Sequence, residues 1–248
     1  MKSCLTNYVD KINKLPDGKL NKEGILNVDF FLEKENKLNI YYAPHNEYIN
    51  KKAKILIVGI CPGWTQTEIA FKSVKDDLSK NLDTEIILRN CKIAARFAGS
   101  MRNNLINMLD ELSLTEYLDI TSARDLFNEG CTILHTTSLI PYPVFINDKN
   151  YTGHGPEIIE SQLLMKYVKG HFYEELEQMQ HKPLIIPLGK SVEDVLRVMI
   201  KDNIICEEQC LFGFPHPSGA NGHRKEQFTN NKIELRERID NYFKNFML

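Results

Sequence analysis

Residues 54–63 read Lys-Ile-Leu-Ile-Val-Gly-Ile-Cys-Pro-Gly, and this stretch decides the fold class. Its apolar residues, 55–58, form a continuous run in which three of the four side chains are β-branched. A run of that kind is typical of a strand buried on both faces, as in a parallel sheet. The two glycines and the proline that follow permit a tight turn, in which backbone N–H groups approach a ligand closely. A plain turn at a strand end has a similar composition, so both interpretations stay open here.

Three weaker apolar segments repeat this design, at residues 131–134, 183–188 and 209–214. Helical patterns separate them. Apolar residues at i, i+3, i+4 and i+7 predict a helix over 192–199, and the tail, 225–246, predicts a final amphipathic helix. Strands that alternate with helices indicate an α/β fold, which we predict to be a three-layer α/β/α sandwich around a central four-stranded parallel sheet.

The remaining sequence and the composition narrow the class of protein. Residues 1–50 are polar and mixed, and we expect a helical extension packed on the sheet, so that residues 1–248 form one domain. The 31 Lys and Arg against 33 Asp and Glu (formal net charge −2) argue against a protein that coats nucleic acid through bulk charge. Short apolar runs and the lack of an apolar leader predict a cytoplasmic protein without membrane contact. Six cysteines without a Cys-x-x-Cys pair predict reduced thiols and no metal site.

In a parallel sheet, functional loops lie beyond the carboxyl ends of the strands. The second loop begins with His135-Thr136-Thr137-Ser138 and runs to Tyr151, and its polar groups either bind a ligand or satisfy buried backbone groups. The third loop, Gly189-Lys190-Ser191, resembles the end of a phosphate-binding P-loop. That motif needs an earlier glycine where this chain has Leu184, so we reject it and predict Ser191 as a helix cap.

The fourth loop has the most unusual composition. Residues 214–224 read Phe-Pro-His-Pro-Ser-Gly-Ala-Asn-Gly-His-Arg, in which two prolines hold His216 stiffly. A solvent-exposed turn has little need of that rigidity, so we favour a functional role for the loop. The Gly-x-Ser-x-Gly motif of serine hydrolases is absent.

Together the four loops resemble those of the uracil-DNA glycosylase superfamily, and look most like its single-strand-selective monofunctional branch. Members carry a Gly-x-x-Pro-Gly-type loop after the first strand, matched here by residues 59–63, and a His-Pro-Ser loop after the last, matched by residues 216–218. Residues 42–45, Tyr-Ala-Pro-His, and the strand-plus-Gly segment 183–189 are similar to the corresponding family segments. The resemblance covers about residues 40–240.

The resemblance implies an enzyme that flips a base out of DNA and hydrolyses its N-glycosidic bond without a metal or cofactor. His216 is then the group that donates a hydrogen bond to an oxygen of the departing base. Phe71 is the first candidate for stacking on the flipped base and Trp64 the second, although both are also plausible core residues. The substrate-binding set implied by the resemblance is Gly59, Ile60, Cys61, Pro62, Gly63, Phe71, His135 and Ser218.

Three positions depart from the family pattern. Cys61 stands where an Asp or Asn positions the attacking water, and a neutral thiol is a poor base. His135 stands where an Asn reads the uracil edge, so plain uracil specificity is in doubt. Gly63 replaces the Tyr that blocks substituents at C5 of the base in strict uracil enzymes. We therefore expect a pocket for a larger, modified pyrimidine, including hypermodified bases of the kind found in phage DNA.

With Cys61 unsuited to the task, another carboxylate must hold the water. Glu68 and Asp148 lie on suitable loops and are the predicted catalytic carboxylates, ahead of Asp76 and Asp77.

DNA binding requires a local concentration of cations. Arg89, Lys92 and Arg96 share one face of a predicted helix, which is either a DNA-binding face or simply a solvated one. Arg224 and Asn221 follow the His216 loop and are the other predicted DNA contacts. The neighbouring Ala220 would make a weak wedge between bases, which favours single-stranded or weakened substrates.

The sequence therefore predicts a monomeric, monofunctional DNA glycosylase that acts in base-excision repair or in defence against foreign DNA. The alternative is a catalytically silent member that binds a flipped base or a nucleotide, and Cys61 is its main support. A nucleoside hydrolase-like enzyme is disfavoured because no Asp cluster indicates a calcium site.

Overall fold

The computed structural model describes residues 4–246 of the 248-residue chain. The strands are β1 (Phe31–Glu35), β2 (Leu38–Tyr41), β3 (Ile55–Gly59), β4 (Leu134–Ser138), β5 (Val144–Ile146), β6 (Lys149–Asn150) and β7 (Leu184–Pro187). The helices are α1 (Val9–Asn13), α2 (Lys22–Ile25), α3 (Trp64–Leu78), α4 (Thr84–Ala95), α5 (Ser100–Asp110), α6 (Leu114–Leu118), α7 (Gln162–Tyr167), α8 (Glu174–Glu177), α9 (Lys190–Lys201) and α10 (Arg224–Phe246).

A parallel sheet with the strand order β4-β3-β7 forms the centre of the fold. The predicted fourth strand, 209–214, is not confirmed, because this segment contributes a single bridge, between Cys210 and Ile185. The backbone N–H of Leu211 still bonds to the Ile185 carbonyl at 2.8 Å. Gly213, at a φ of +88°, then turns the chain away from the sheet.

Helices cover both faces of this sheet, because successive β3 side chains point to opposite sides. Leu56 and Val58 pack in a core that includes residues of α3, α4, α7 and α9. Ile55 and Ile57 pack in a second core that includes residues of α5 and α10. The predicted α/β sandwich is confirmed, and α9 and α10 correspond to the two helices that the periodicity predicts.

The N-terminal region differs from the predicted helical extension. It contains the short helices α1 and α2, but also β1 and β2, joined through Asn36 at a φ of +52°. β2 pairs antiparallel with β5, so that β1, β2, β5 and β6 form a second sheet. Leu38 lies opposite Ile146 in this pairing. A partner more than 100 residues away leaves no local sequence signal, which is why the prediction of helices alone is wrong.

The second strand of the parallel sheet also lies later in the chain than predicted. β4 begins at Leu134, so the polar residues 135–138, expected in a loop, form the strand itself. All of them are buried. Two of these polar side chains, His135 and Thr137, hydrogen-bond to a buried carboxylate, as described below.

Candidate functional site

His216 lies beyond the carboxyl end of the sheet, in the loop after the Cys210 bridge. The backbone N–H of Ser218 donates to its Nδ1 at 3.2 Å. Because Nδ1 accepts, the proton of the neutral ring is on Nε2, which leaves Nε2–H as a donor. Burial lowers the pKa of His216 below its ordinary value, which favours this neutral form at pH 7.

Three side chains brace the His216 loop. Asn221 donates to the His216 carbonyl at 3.2 Å, and Asn104 of α5 donates to the Pro217 carbonyl at 2.9 Å. Arg224 Nη1 donates to the Ser218 carbonyl at 2.7 Å. Asn221 and Arg224, predicted as DNA contacts, are thus engaged in holding the loop in shape.

Gly189, just after β7, lets His216 approach the start of α9. A Cβ at position 189 would lie 3.1 Å from the His216 Cβ, and the φ of Gly189 is +89°. Both the close contact and the backbone conformation favour glycine. Gly189 is also the residue that precedes α9, so the predicted cap at Ser191 is wrong and Ser191 lies in the first turn.

The first loop, 59–63, leads from β3 directly into α3. Gln66 Oε1 accepts from the Gly63 N–H at 3.2 Å, and Asn150 Oδ1 accepts from the Trp64 N–H at 3.0 Å. A Cβ at position 63 would lie 3.3 Å from Asn150 Nδ2. Asn150 thus occupies the space next to Gly63 that the sequence alone leaves open.

Cys61 is held in this loop as a neutral thiol. Its Sγ lies 3.8 Å from the Tyr151 carbonyl oxygen, to which it donates. Burial raises the pKa of Cys61 from its ordinary value near 9 to about 12. A thiol with that pKa does not act as a base near neutral pH.

The loop after β6 completes the site, and sequence reasoning did not assign it a role. A Cβ at Gly153, whose φ is +92°, would lie 2.5 Å from Ser191 Oγ and 3.0 Å from Ile60 Cδ1. The next residue, His154, lies 2.9 Å from Glu157 Oε1 through Nδ1 and 3.4 Å from Ser191 Oγ through Nε2. A sequence signal for His154 does exist, because glycines and a proline lie next to it, as prolines lie next to His216.

His135, expected to read the base edge, lies within a buried polar network. Its Nε2 contacts Glu175 of α8, whose other oxygen accepts from Thr137 Oγ1 at 2.9 Å. His135 is 2% exposed and Glu175 is 5% exposed. Burial lowers the pKa of His135, against the opposing effect of the carboxylate. In this arrangement Nε2 is not available to a ligand.

Phe71 packs in the core, and its ring has no face open to a flipped base. It is fully buried, with its ring centroid 4.8 Å from that of Phe30 in an edge contact. Trp64, the second stacking candidate, is half-buried in the first turn of α3. Phe97 is an aromatic residue that the sequence reasoning missed: its Cε1 would lie 3.7 Å from a Cβ at Gly59.

The predicted carboxylates are scattered. Glu68 lies in the second turn of α3, near the first loop. Asp148 is exposed in the turn between β5 and β6, where its backbone carbonyl accepts from Lys22. Asp76 and Asp77 lie near the opposite end of α3, and Asp77 is bonded to Lys80 and Asn90 at 3.0 and 2.8 Å. The structure therefore does not bring Asp76 or Asp77 to the strand ends.

The expected cationic face of α4 is mostly buried. Lys92 is 3% exposed, and its Nζ donates to Asn46 Oδ1 at 2.7 Å and to the Thr136 carbonyl at 2.8 Å. Arg96 is 5% exposed and donates to the Phe127 carbonyl at 2.6 Å. Only Arg89 of the three is exposed. The prediction of a solvent-facing cluster is wrong because this face covers the outer edge of β4.

Two further features of residues 4–246 bear on the predicted class. No group of three or more His, Cys, Asp or Glu side chains within that range is arranged to hold a metal ion. Over the same range, no helix is long and apolar enough to cross a membrane.

Comparisons with known proteins place the chain in a family. Residues 47–240 match the family model described as the uracil DNA glycosylase superfamily. The chain is 46% identical over 241 residues to "Uncharacterized protein YoxB" of Bacillus subtilis (strain 168), covering 97% of this chain and 94% of that protein. The solved structure of wild-type Pedobacter heparinus SMUG2 is similar with a TM-score of 0.45 and 11% identity, over 96% of this chain and 98% of that chain. Since the family model matches most of the chain, the protein belongs to the uracil DNA glycosylase superfamily.

Proposed function

We propose that the protein is a monofunctional DNA glycosylase that hydrolyses the N-glycosidic bond of a damaged or modified pyrimidine flipped out of DNA. The observation that carries this proposal is the state of His216. Its Nδ1 is occupied by the Ser218 N–H, so its Nε2–H is a fixed donor beyond the strand ends. Superfamily membership supports the same reaction.

The chemistry needs a donor of this kind. As the N-glycosidic bond breaks, negative charge develops on the departing base and positive charge on the sugar. A preorganised hydrogen bond to a base oxygen stabilises that negative charge without reorganisation during the reaction. The bracing of the loop by Asn221 and Arg224 supports this role, because it restrains the imidazole before substrate binds.

The polar group beside Gly63 supports a modified pyrimidine as the substrate. No side chain at position 63 shields the C5 side of a base, and Asn150 stands beside that position. Since Asn150 Oδ1 is taken by the Trp64 N–H, its amide Nδ2 is the group left to donate to a ligand. A hydroxymethyl or a glucosyl substituent offers the oxygen that such a donor requires.

DNA is the proposed macromolecular partner, bound by a monomer in the cytoplasm. Arg224 holds the loop carbonyls through Nη1 and supports contact with phosphates through the rest of its guanidinium, and Arg89 is exposed. Lys92 and Arg96, by contrast, are withdrawn into the fold. With a formal net charge of −2, we expect a narrow contact and a shallow salt dependence, for a single strand or a duplex with a flipped base. Repair and defence against foreign DNA both provide such substrates.

A catalytically silent member that binds a flipped base or nucleotide is the second candidate. The neutral Cys61 thiol favours it, because the first loop then lacks the group that would position water.

Oligonucleotides that carry uracil, hydroxymethyluracil or glucosylated hydroxymethylcytosine distinguish the two functions. Each is incubated with the protein, treated with alkali and examined for strand breaks. We expect breaks at a modified base, with faster cleavage in single strands than in duplexes. Measurable binding without breaks on any of the three substrates contradicts the enzyme and supports the silent alternative.

Cys61→Ala tests the state of the thiol. We expect the cleavage rate to change by less than about tenfold, since a neutral thiol contributes no base catalysis. Cys61 stays protonated from about pH 7 to pH 10, so the pH–rate curves of wild type and variant should run parallel over that range. An inflection in the wild type that the variant lacks would contradict the neutral assignment.

A further inference from the structure

His154 and Glu157 form a second polar constellation at the same edge of the sheet. His154 Nδ1 lies 2.9 Å from Glu157 Oε1, and Nε2 lies 3.4 Å from Ser191 Oγ. The His154 side chain is 61% exposed, so solvent reaches the ring. The Tyr151 hydroxyl donates to the Pro156 carbonyl at 2.6 Å and holds the loop that carries both residues.

The hydrogen bonds give His154 the opposite tautomer to His216. An ionised carboxylate only accepts hydrogen bonds, so Glu157 requires the proton on His154 Nδ1. Nε2 is then an acceptor, and its 3.4 Å contact with the Ser191 hydroxyl is long enough for water to displace. His216 therefore presents a donor and His154 an acceptor. A hydrolytic site needs both kinds of group, a donor for the leaving group and an acceptor for a proton of the attacking water.

Both imidazoles flank the first turn of α9. His216 packs against Gly189, and Gly153, which precedes His154, packs against Ser191 and Ile60. A glycosylase needs its leaving-group donor and its water-holding group on opposite sides of the sugar C1′. Gly189 and Ser191 lie two residues apart, so the His216 and His154 loops contact the same turn of α9, and Ile60 brings the first loop against Gly153. We take this shared turn as the place where the two groups act together.

We propose that His154 holds the attacking water and accepts its proton, and that Glu157 is the positioning residue for the His154 ring. This assignment rests on the proposed glycosylase function. The water oxygen forms a bond to C1′, the bond from C1′ to the base nitrogen breaks, and its electron pair leaves with the base. One water proton passes to His154 Nε2, and the resulting imidazolium is held by the Glu157 carboxylate.

The other candidates for this role are less well placed. Cys61 is a neutral thiol, and Asp148 lies in an exposed hairpin turn. Glu68 lies within α3 and presents no imidazole partner among its described contacts. The His154 pair supplies the proton acceptor that the first loop lacks.

His154→Ala tests the assignment under single-turnover conditions, with whichever of the three modified oligonucleotides the wild type cleaves fastest. We expect the cleavage rate to fall about 100-fold, while binding to an oligonucleotide with a tetrahydrofuran abasic site is unchanged. Added imidazole should restore part of the rate, because it can occupy the space left by the ring. Glu157→Ala should also lower the cleavage rate. Glu157→Gln should recover much of that loss, since its amide oxygen still accepts from Nδ1–H.

His181→Ala is the matched control, because His181 is exposed and lies before β7, at the opposite end of the sheet. This variant should cleave at the wild-type rate. A His154→Ala protein that cleaves as fast as wild type overturns the assignment while leaving the glycosylase function intact. The assignment is also overturned if His154→Ala cleaves slowly but has lost binding to the abasic site, or if added imidazole does not raise its rate. If the wild type cleaves none of the substrates, it is the proposed function that fails.

Discussion

His216→Ala is expected to lower the rate of N-glycosidic bond cleavage by about 100- to 1,000-fold, the usual effect of removing one preorganised donor to a developing anion. His154, at the same edge of the sheet, does not replace this donor, because its Nδ1 is committed to Glu157. Single-turnover assays on the best modified substrate measure the rate, and binding to an abasic oligonucleotide shows whether DNA contact survives.

Folding must be separated from chemistry in this variant. Loss of the His216 ring removes the acceptor for the Ser218 N–H but leaves the backbone braces from Asn221 and Asn104. We therefore expect an unchanged far-UV circular dichroism spectrum. His216→Gln should recover part of the rate, because its amide group can still donate. His223→Ala is the control, since that exposed histidine lies near the end of the same loop. Full activity in His216→Ala contradicts the donor role.

Glu175→Ala is expected to lower the free energy of unfolding by about 3 kcal/mol, the cost of leaving buried hydrogen-bond donors without their acceptor. The substitution leaves His135 Nε2 and Thr137 Oγ1 without their carboxylate partner inside the fold. It also removes a nearby negative charge from the buried Lys92, whose pKa burial lowers to about 8. Urea unfolding, followed by circular dichroism, measures the decrease in the free energy of unfolding.

The neighbouring residue provides the comparison. Glu174 lies in the same short helix but is exposed, so Glu174→Ala should change the free energy of unfolding by no more than about 0.5 kcal/mol. Equal urea midpoints for the two alanine variants would show that the network contributes nothing to stability. In that case His135 would again be a candidate for reading the base.

The buried network also shows why the second loop was predicted incorrectly. The segment 135–138 is polar, and polarity at a strand end normally indicates a loop. The carboxylate that satisfies His135 comes from a helix 40 residues further along the chain. A strand with polar side chains on a buried face is stable only when such partners exist, and the sequence of the segment itself does not predict them.

The face of α4 illustrates the same limit. Helical periodicity predicts Lys92 and Arg96 on one side of a helix, but α4 ends at Ala95 and Arg96 is the residue that follows it. Whether the side faces water or protein depends on what packs against it, and here the Thr136 carbonyl on the outer edge of β4 takes the Lys92 ammonium. Phe71 is a comparable case, because a ring at a functional spacing proved to be a core contact of Phe30.

The sequence by itself determined the α/β class, the two long C-terminal helices and the order of the four loops, because these depend on local periodicity and on the positions of Gly and Pro. It also made His216 a candidate site residue, since the flanking prolines are a local signal. Only the tertiary structure decided which polar groups are free to act. Asn150, Gly153 and His154 reach the first loop and α9 through contacts distant in sequence, and the partner of each imidazole sets which nitrogen carries its proton. Those partners depend on packing, so the assignment of donor to His216 and acceptor to His154 follows from the fold and not from the residue types alone.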